Sequence, residues 1–226
     1  MSTSSQGDPA ESGPLELCQG PQGLEIRGIG DRTGQGVRAT PFLALHRGLA
    51  GHPLTRILRN TDGPVVDATA GLGSDAGIAA ALGKDVLLIE TNTMVHAMLE
   101  DALARAHGEE LALAGRMTLL HADARELLGN LSTPWSTPGA VLLDPMFPPR
   151  RRESALPPKP MQRLRKLVGF DDADAISELL DAALASKARR IVLKRPPEAD
   201  VHHEGLGAAT FSIETKLLRW DVWERG

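Results

Sequence analysis

Short apolar runs alternate with amphipathic segments over most of the chain. The run VVDATA at 65–70 ends in small residues and passes into the glycine turn GLG at 71–73, after which a helix begins. The run DVLLIE at 85–90 precedes a helical pattern over 92–106. Apolar runs of this length are typical of buried parallel strands, and repeated strand–helix units imply a sheet with helices on both faces. The pattern predicts an α/β, doubly wound fold.

The same alternation continues toward the C-terminus. Apolar runs predict further strands at 117–123, 139–145 and 188–196, and helical spacing of apolar residues predicts a helix over 171–186. The segment beginning at Phe211 is typical of two strands joined by a turn. We therefore expect a mostly parallel sheet of seven strands that closes with a C-terminal antiparallel hairpin.

Three segments differ in composition. Residues 1–20 are rich in Ser, Gly, Pro and acidic groups without periodicity, which predicts a disordered tail. Residues 21–60 mix glycine, arginine and short apolar runs, and we interpret them as an N-terminal extension with a helix around 40–49, in a position to contact RNA. Residues 61–226 then form the catalytic domain.

Charge and composition exclude several classes of protein. A net charge of −4 argues against non-specific coating of nucleic acid, although basic residues cluster in 21–60 and 148–166 and favour contact with a polyanion on one side only. No apolar run is long enough for a membrane helix, and Cys18 has no partner for a disulfide, so we expect a cytoplasmic protein without membrane association. The adjacent His202 and His203 lack a third ligand, and no metal is predicted.

Carboxylates follow the predicted strands, whose carboxyl ends carry the ligand site in a doubly wound sheet. Gly71 and Gly73 let the backbone approach a ligand, and Glu90 at the next strand tip suits a ribose. Such a turn serves NAD, FAD and S-adenosylmethionine alike. Because Asp67 and Asp75 would repel a pyrophosphate, the cationic S-adenosylmethionine is favoured. We expect these two carboxylates near its ammonium group, and Asp123 near its adenine.

The fourth predicted strand ends in LDPMFPPRRR, residues 143–152. Its DPMF resembles the D/N/S-P-P-Y/F tetrapeptide with which amino-directed methyltransferases hold an exocyclic amine. The Asp144 side chain and the Pro145 carbonyl can accept the two N–H bonds of that amine, and Phe147 can stack on a flat base. These three residues are the predicted catalytic group. Basic residues are predicted to contact the substrate RNA: Arg150, Arg151, Arg152, Lys159, Lys194 and Arg195.

The motifs DATAGLGSDA, LLIETN, LLDPMFP with SAL soon after, and VLKRP occur in this order. Together they resemble the bacterial ribosomal RNA small subunit methyltransferase J family, over about residues 30–223. The resemblance implies a class I, Rossmann-like methyltransferase that uses S-adenosylmethionine to methylate the 2-amino group of a guanine in 16S ribosomal RNA of the small subunit. It also implies cofactor contacts at Ser74, Asp75, Glu90, Thr91, Asp123, Ala124 and Asp144.

Three positions depart from the family pattern. Ser74 and Thr91 stand where relatives have arginine, and Pro149 stands where a basic residue follows DPMFP. Three alternatives remain open at this point. They are a nicotinamide-dependent oxidoreductase, a non-catalytic RNA-binding or ribosome-assembly module, and a methyltransferase acting on another base. The oxidoreductase is disfavoured because the chain has no tyrosine and its histidines lie away from the fourth strand.

Overall fold

A computed structural model of the protein describes residues 13–148, 159–199 and 201–225. The strands are β1 (Leu15–Gly20), β2 (Gly23–Gly28), β3 (Val65–Asp67), β4 (Val86–Glu90), β5 (Met117–His121), β6 (Ala140–Leu143), β7 (Arg190–Arg195), β8 (Phe211–Glu214) and β9 (Arg219–Glu224). The helices are α1 (Leu43–Arg47), α2 (Pro53–Leu58), α3 (Ser74–Ala81), α4 (Thr93–Ala104), α5 (Glu109–Ala114), α6 (Ala124–Leu127), α7 (Lys159–Val168) and α8 (Ala173–Ala185), with a 3-10 turn at Leu128–Asn130.

Seven strands form one sheet in the order β5-β4-β3-β6-β7-β9-β8. The strands from β5 to β7 are parallel, whereas β9 runs antiparallel to both β7 and β8. The chain winds outward from β3 to β5 on one side and then returns to place β6 on the other side of β3. This order confirms the predicted doubly wound sheet with its C-terminal hairpin, and it places the reversal of strand order between β3 and β6.

Both faces of the sheet are covered. Along β4, Val86 and Leu88 point into one core, and Leu87 and Ile89 point into the other. Helices α2 and α3 contribute to the first core, and α6 and α8 contribute to the second. A strand buried on both faces needs apolar residues at every position, which is why β4 is a continuous apolar run.

The N-terminal segment is more ordered than predicted. The expected disorder of residues 1–20 is wrong for Leu15–Gly20, because this strand pairs with β2 through a hairpin; residues 1–12 lie outside the described residues. The hairpin is held by packing as well as by pairing, since Ile26 is buried against Val95 and Met98 of α4. The helix expected around 40–49 is present as the shorter α1.

The predicted boundary at residue 61 is not a packing boundary. Three residues of α2, Leu54, Ile57 and Leu58, are at most 1% exposed and lie in the same core as Val65 of β3. Burial of such side chains contributes about 1.5–3 kcal/mol each. A helix of six residues is too short to be stable alone, so α2 exists because the sheet buries it.

Gly77 shows how tightly the N-terminal segment packs on α3. A Cβ at this helical glycine would lie 1.8 Å from the carbonyl oxygen of Pro41. Helix propensity alone would make Gly77→Ala stabilising by about 1 kcal/mol. We expect the clash to dominate, and urea unfolding should show a net loss of about 1–3 kcal/mol.

Gly115→Ala is the matched control for this substitution. Gly115 has helical backbone angles, and its added Cβ would come no closer than 3.4 Å to another atom. Equal stabilities of the two variants would show that Pro41 does not pack against α3 as described.

Candidate functional site

Two adjoining cavities open at the carboxyl ends of β3 and β6, where the strand order reverses. Their volumes are about 280 and 360 Å³, and both are lined by Thr69 and Gly71 after β3 and by Asp144, Pro145 and Met146 after β6. Ligands of doubly wound sheets bind at this reversal point. The cavity of about 280 Å³ is called the narrower cavity, the cavity of about 360 Å³ the wider cavity, and the two together the cleft.

Glu90 joins the tips of β3 and β4 at the wider cavity. Its carboxylate accepts hydrogen bonds from the backbone N–H of Gly71 at 2.9 Å and from that of Asn92 at 2.7 Å. Burial raises the pKa of Glu90, and these two N–H donors offset part of that rise. Each oxygen keeps a further lone pair, so the carboxylate can also accept bonds from the hydroxyls of a ribose.

The two glycines of the turn play different structural roles. Gly71 and Gly73 both have positive φ angles, 52° and 81°, which non-glycine residues rarely adopt. A Cβ on Gly73 would also lie 2.7 Å from Leu99 and 3.1 Å from Pro41. Gly73 therefore allows the turn to pack against α4 and the N-terminal segment, whereas Gly71 lies on the cleft surface.

Three carboxylates and one ammonium meet at the narrower cavity. The Nζ atom of Lys194 lies 2.8 Å from an oxygen of Asp144 and 3.0 Å from an oxygen of Asp75. Asp67 is only 2% exposed, and its Oδ1 accepts a hydrogen bond from Thr69 N–H at 3.3 Å. Asp75 therefore forms an ion pair and does not cap α3, whose N-cap is Gly73 without a side-chain bond. An excess of carboxylates suits a cationic ligand.

Burial raises the pKa of Asp67 to about 8, and the neighbouring charge of Asp75 adds to this effect. A carboxyl group whose pKa is higher in the folded than in the unfolded chain favours folding most below its ordinary pKa of 3.8, and this contribution is lost as the pH rises through 8. Asp67 therefore holds a proton near neutral pH in the ligand-free protein.

We expect Asp67→Asn to remove this pH dependence. The amide oxygen can still accept the Thr69 bond, and it does not titrate. Between pH 4 and 8 the free energy of unfolding of the wild type should fall relative to that of the variant, by at most about 1.4 kcal/mol per pH unit. Urea unfolding at pH 4, 6 and 9 measures this difference; parallel pH profiles would contradict the raised pKa.

The loop after β6 is held from two sides. The N–H of Asp144 donates to the hydroxyl of Thr69 at 2.6 Å. Asp171 clamps Met146, because its carboxylate accepts Met146 N–H at 2.6 Å and its own N–H donates to the Met146 carbonyl at 2.9 Å. The Pro145 carbonyl already accepts the N–H of Phe147 at 3.0 Å. A carbonyl oxygen has two lone pairs, so one remains available to a substrate amine.

Phe147 lies between two spaces. Its ring is partly buried against the core on the α8 face, and it lines both the narrower cavity of the cleft and a separate apolar cavity of about 510 Å³. The ring is therefore neither fully exposed nor enclosed in the core. This placement leaves the predicted stacking role untested.

The other residues predicted to contact the cofactor differ in whether they line the cleft. Ser74 lines the narrower cavity, with its hydroxyl 2.9 Å from that of Thr40, and Thr91 lines the wider one. Within the described part of the chain, neither Asp123 nor Ala124 lines the cleft. The carboxylate of Asp123 is bonded to Arg125, which lowers its pKa. Contact of these two residues with an adenine remains a prediction.

The structure gives little support to the predicted RNA contacts. Lys194 lines the narrower cavity, but its side chain is only 18% exposed and its ammonium is already paired with Asp75 and Asp144. The guanidinium of Arg195 pairs with Asp221 through Nε and donates through Nη1 to the carbonyls of Pro196, Pro197 and Ala199, so both of these nitrogens are bonded within the protein. Arg150, Arg151 and Arg152 lie outside the described residues, and of Lys159 only the backbone, at the start of α7, is described.

Several residues of the site were not predicted from the sequence. Thr69 stands inside the DATAGLG motif, where a hydroxyl between two small residues was a usable signal. Asp171 lies 25 positions after Met146, and no local pattern links the two. Leu164 and Val168 of α7 also line the cleft, because Arg163 ties this helix to Asp31 and the Gln35 carbonyl of the N-terminal segment.

Over residues 13–148, 159–199 and 201–225, no three or more His, Cys, Asp or Glu side chains are grouped as metal ligands would be. The same ranges contain no helix with the length and apolar character needed to cross a membrane.

Comparison with known proteins identifies relatives over most of the chain. A family model described as "Putative SAM-dependent methyltransferase" matches residues 46–225, a range that begins before the predicted boundary at residue 61. The ribosomal RNA small subunit methyltransferase J of Rhodopseudomonas palustris (strain TIE-1) is 46% identical over 164 residues, which cover 71% of this chain and 76% of the relative. The protein of the same name from Chromohalobacter salexigens is 40% identical over 221 residues, or 92% and 84% of the two chains.

A solved structure is similar over nearly the whole chain. The crystal structure of a SAM-dependent methyltransferase from Neisseria gonorrhoeae matches with a TM-score of 0.70 and 28% identity, covering 98% of this chain and 86% of the other. The fold of this chain is thus shared with a solved SAM-dependent methyltransferase.

Proposed function

This chain belongs to the ribosomal RNA small subunit methyltransferase J family, and on that premise we propose that it methylates the 2-amino group of a guanine in 16S ribosomal RNA. The protein is an S-adenosylmethionine-dependent methyltransferase. The observation that carries the proposal is the loop after β6, which presents Asp144 and Pro145 beside an acidic cleft at the strand reversal. The proposal also places the protein in the cytoplasm, where ribosomal subunits are assembled.

The cleft fits the chemistry of this cofactor. S-adenosylmethionine supplies a methyl group from its sulfonium centre and leaves as the neutral thioether S-adenosylhomocysteine. Glu90 would hold the ribose hydroxyls, and Gly71 would allow the backbone to approach them. Asp67 and Asp75 would face the methionine ammonium, which favours the ionised form of Asp67 and lowers its pKa from the value in the ligand-free protein.

The residues after β6 would orient the nucleophile. The amine of a guanine is weakly nucleophilic because its lone pair is delocalised into the ring. Acceptors at Asp144 and at the Pro145 carbonyl would take its two N–H bonds and direct the lone pair toward the methyl carbon. The new C–N bond then forms as the C–S bond breaks, and the amine passes its extra proton to solvent. Phe147 would stack on the base plane.

Contact with the RNA backbone is assigned to the segment that starts at 150. Arg150, Arg151 and Arg152 directly follow the DPMFPP stretch in the sequence, which supports a contact between them and a phosphate that flanks the target base. Lys159 begins α7, which covers the cleft, and it is kept as a second candidate. Lys194 and Arg195 are not retained as phosphate contacts, because both already pair with carboxylates of the protein.

A direct assay tests the proposal. Purified protein is incubated with methyl-labelled S-adenosylmethionine and either small ribosomal subunits or free 16S RNA from cells that lack the protein, and mass mapping locates the product. We expect N2-methylguanosine at a single position. Binding of RNA without transfer would favour a non-catalytic assembly module, and a methyl group on adenine would assign a different base; either result would overturn the proposed function.

A further inference from the structure

We propose that Lys194 is a positioning residue, whose ammonium holds one oxygen of Asp144 so that the other oxygen faces the substrate amine. The inference rests on the proposed function and replaces the expected phosphate contact of Lys194 with a role inside the protein. Lys194 touches neither the cofactor nor the base in this role; it acts through Asp144.

Strand register places the lysine beside its partner. Leu143 of β6 is in register with Leu193 of β7, so Asp144 and Lys194 follow as neighbours at the ends of two paired strands. The ammonium is 2.8 Å from Oδ2 of Asp144 and 3.0 Å from Oδ2 of Asp75. Because Asp75 belongs to α3, one cation links the loop after β6 to the helix on the cofactor side of the cleft.

The two oxygens of Asp144 differ in their surroundings. Oδ2 is bonded to Lys194, whereas no hydrogen bond reaches Oδ1 from any residue that the structure describes. The Asp144 side chain is 44% exposed and that of Lys194 is 18% exposed, and both line the narrower cavity. Oδ1 of Asp144 is therefore the oxygen that remains available to an N–H donor, whereas the ammonium is already engaged by two carboxylates.

The negative charge of the surrounding carboxylates also requires a cation at position 194. The titratable groups around the ammonium are Asp67 of β3, Asp75 of α3, Asp144 and His52, which is the N-cap residue of α2. Partial burial of Asp144 raises its pKa, Lys194 opposes this rise, and Asp75 reinforces it. Without the ammonium the pKa of Asp144 would rise further. A protonated Asp144 would then persist to higher pH, with a hydroxyl in place of one of its acceptor oxygens.

The test replaces Lys194 with methionine, an unbranched side chain that is one atom shorter and carries no charge. We expect kcat to fall about tenfold, by loss of one charge-assisted bond. The KM for RNA and the salt dependence of RNA binding should not change. The acid limb of the pH–kcat profile should move to higher pH. Lys216→Met, on the exposed turn between β8 and β9, is the matched control and should behave as the wild type.

If Lys194 instead contacted a phosphate of the RNA, a different result would be expected. Lys194→Met would then raise KM and reduce the slope of log affinity against log salt by about one, with kcat retained. That outcome, or an unchanged kcat and pH profile, would overturn the inference. A wild type without methyl transfer would instead refute the proposed function itself.

If Lys194→Met does not fold, the double variant Lys194→Met with Asp75→Asn keeps the charge of the cluster constant. At saturating S-adenosylmethionine we expect it to show the same loss of kcat and the same unchanged KM for RNA. Wild-type kcat in the folded double variant would equally overturn the positioning role.

Discussion

Replacing Asp144 with alanine is expected to lower kcat for methyl transfer by about 100-fold or more at saturating S-adenosylmethionine. Loss of a preorganised group aimed at the reacting atoms costs a factor of this size. Asp144 is the side-chain acceptor at the exposed face of the loop, and the Pro145 carbonyl alone cannot hold both N–H bonds of the amine. The measurement is single-turnover transfer of labelled methyl to small ribosomal subunits.

The fold should survive this substitution. Lys194 keeps Asp75 as a partner, so no cation is left unpaired, and the Asp144 N–H bond to Thr69 is made by the backbone. Asp144→Asn should lose less activity than alanine, since its amide oxygen can still accept one N–H bond. Asp85→Ala, at an exposed ion pair with Arg116, is the matched control and should keep wild-type activity. A kcat within twofold of wild type in Asp144→Ala would remove this residue from the mechanism.

Replacing Glu90 with alanine is expected to raise the Kd for S-adenosylmethionine about 100-fold. Two hydrogen bonds from ribose hydroxyls to a carboxylate would be lost, and bonds to charged groups contribute about 1.5–3 kcal/mol each. The substitution also frees the N–H groups of Gly71 and Asn92, so the tips of β3 and β4 lose their link. Isothermal titration calorimetry with S-adenosylhomocysteine measures the effect without turnover.

The pH dependence of binding provides a second readout. The ionised carboxylate accepts these bonds most strongly, because protonation turns one oxygen into a hydroxyl donor, and the pKa of Glu90 is raised in the ligand-free protein. Affinity should therefore fall as the pH drops through that raised pKa, at higher pH than for an ordinary glutamate. Glu90→Gln should bind weakly without that dependence. Glu100→Ala, at an exposed position of α4, is the control and should bind as the wild type. If Glu90→Ala had the same Kd as Glu100→Ala, contact between Glu90 and the ribose would be excluded.

Local sequence patterns predicted the sheet, because apolar runs and turn residues can each be recognised within a few positions of the chain. The continuous apolar run of β4 and the small residues after β3 are visible in a short window, and right-handed crossovers then place the strand tips at one edge. The rule for ligands at that edge drew attention to Asp67, Glu90 and Asp144, all of which lie at the cleft. The hairpin at β1 was missed since its short alternating run, LELCQG, is interrupted at once by Pro21.

Contacts between distant segments could not be predicted in this way. The Asp171 clamp on Met146 joins residues 25 positions apart, and the cover of the cleft by α7 depends on the hairpin near the N-terminus. Gly77 is tightly constrained only because Pro41 packs on it. Such contacts depend on how the helices and strands pack. The local sequence around each residue gives no signal for them.

The sequence by itself determined the fold class, the family and the carboxylates at the strand tips, because periodicity, turn chemistry and motif order are local properties of the chain. Only the tertiary structure decided where Lys194 lies and which carboxylates it pairs with. A lysine after an apolar run looks like a solvent-facing cation, and the register of β7 against β6 instead buries it between Asp75 and Asp144. Burial of a charge is stable only when opposite charges meet it there, and their meeting depends on three segments that the fold brings together.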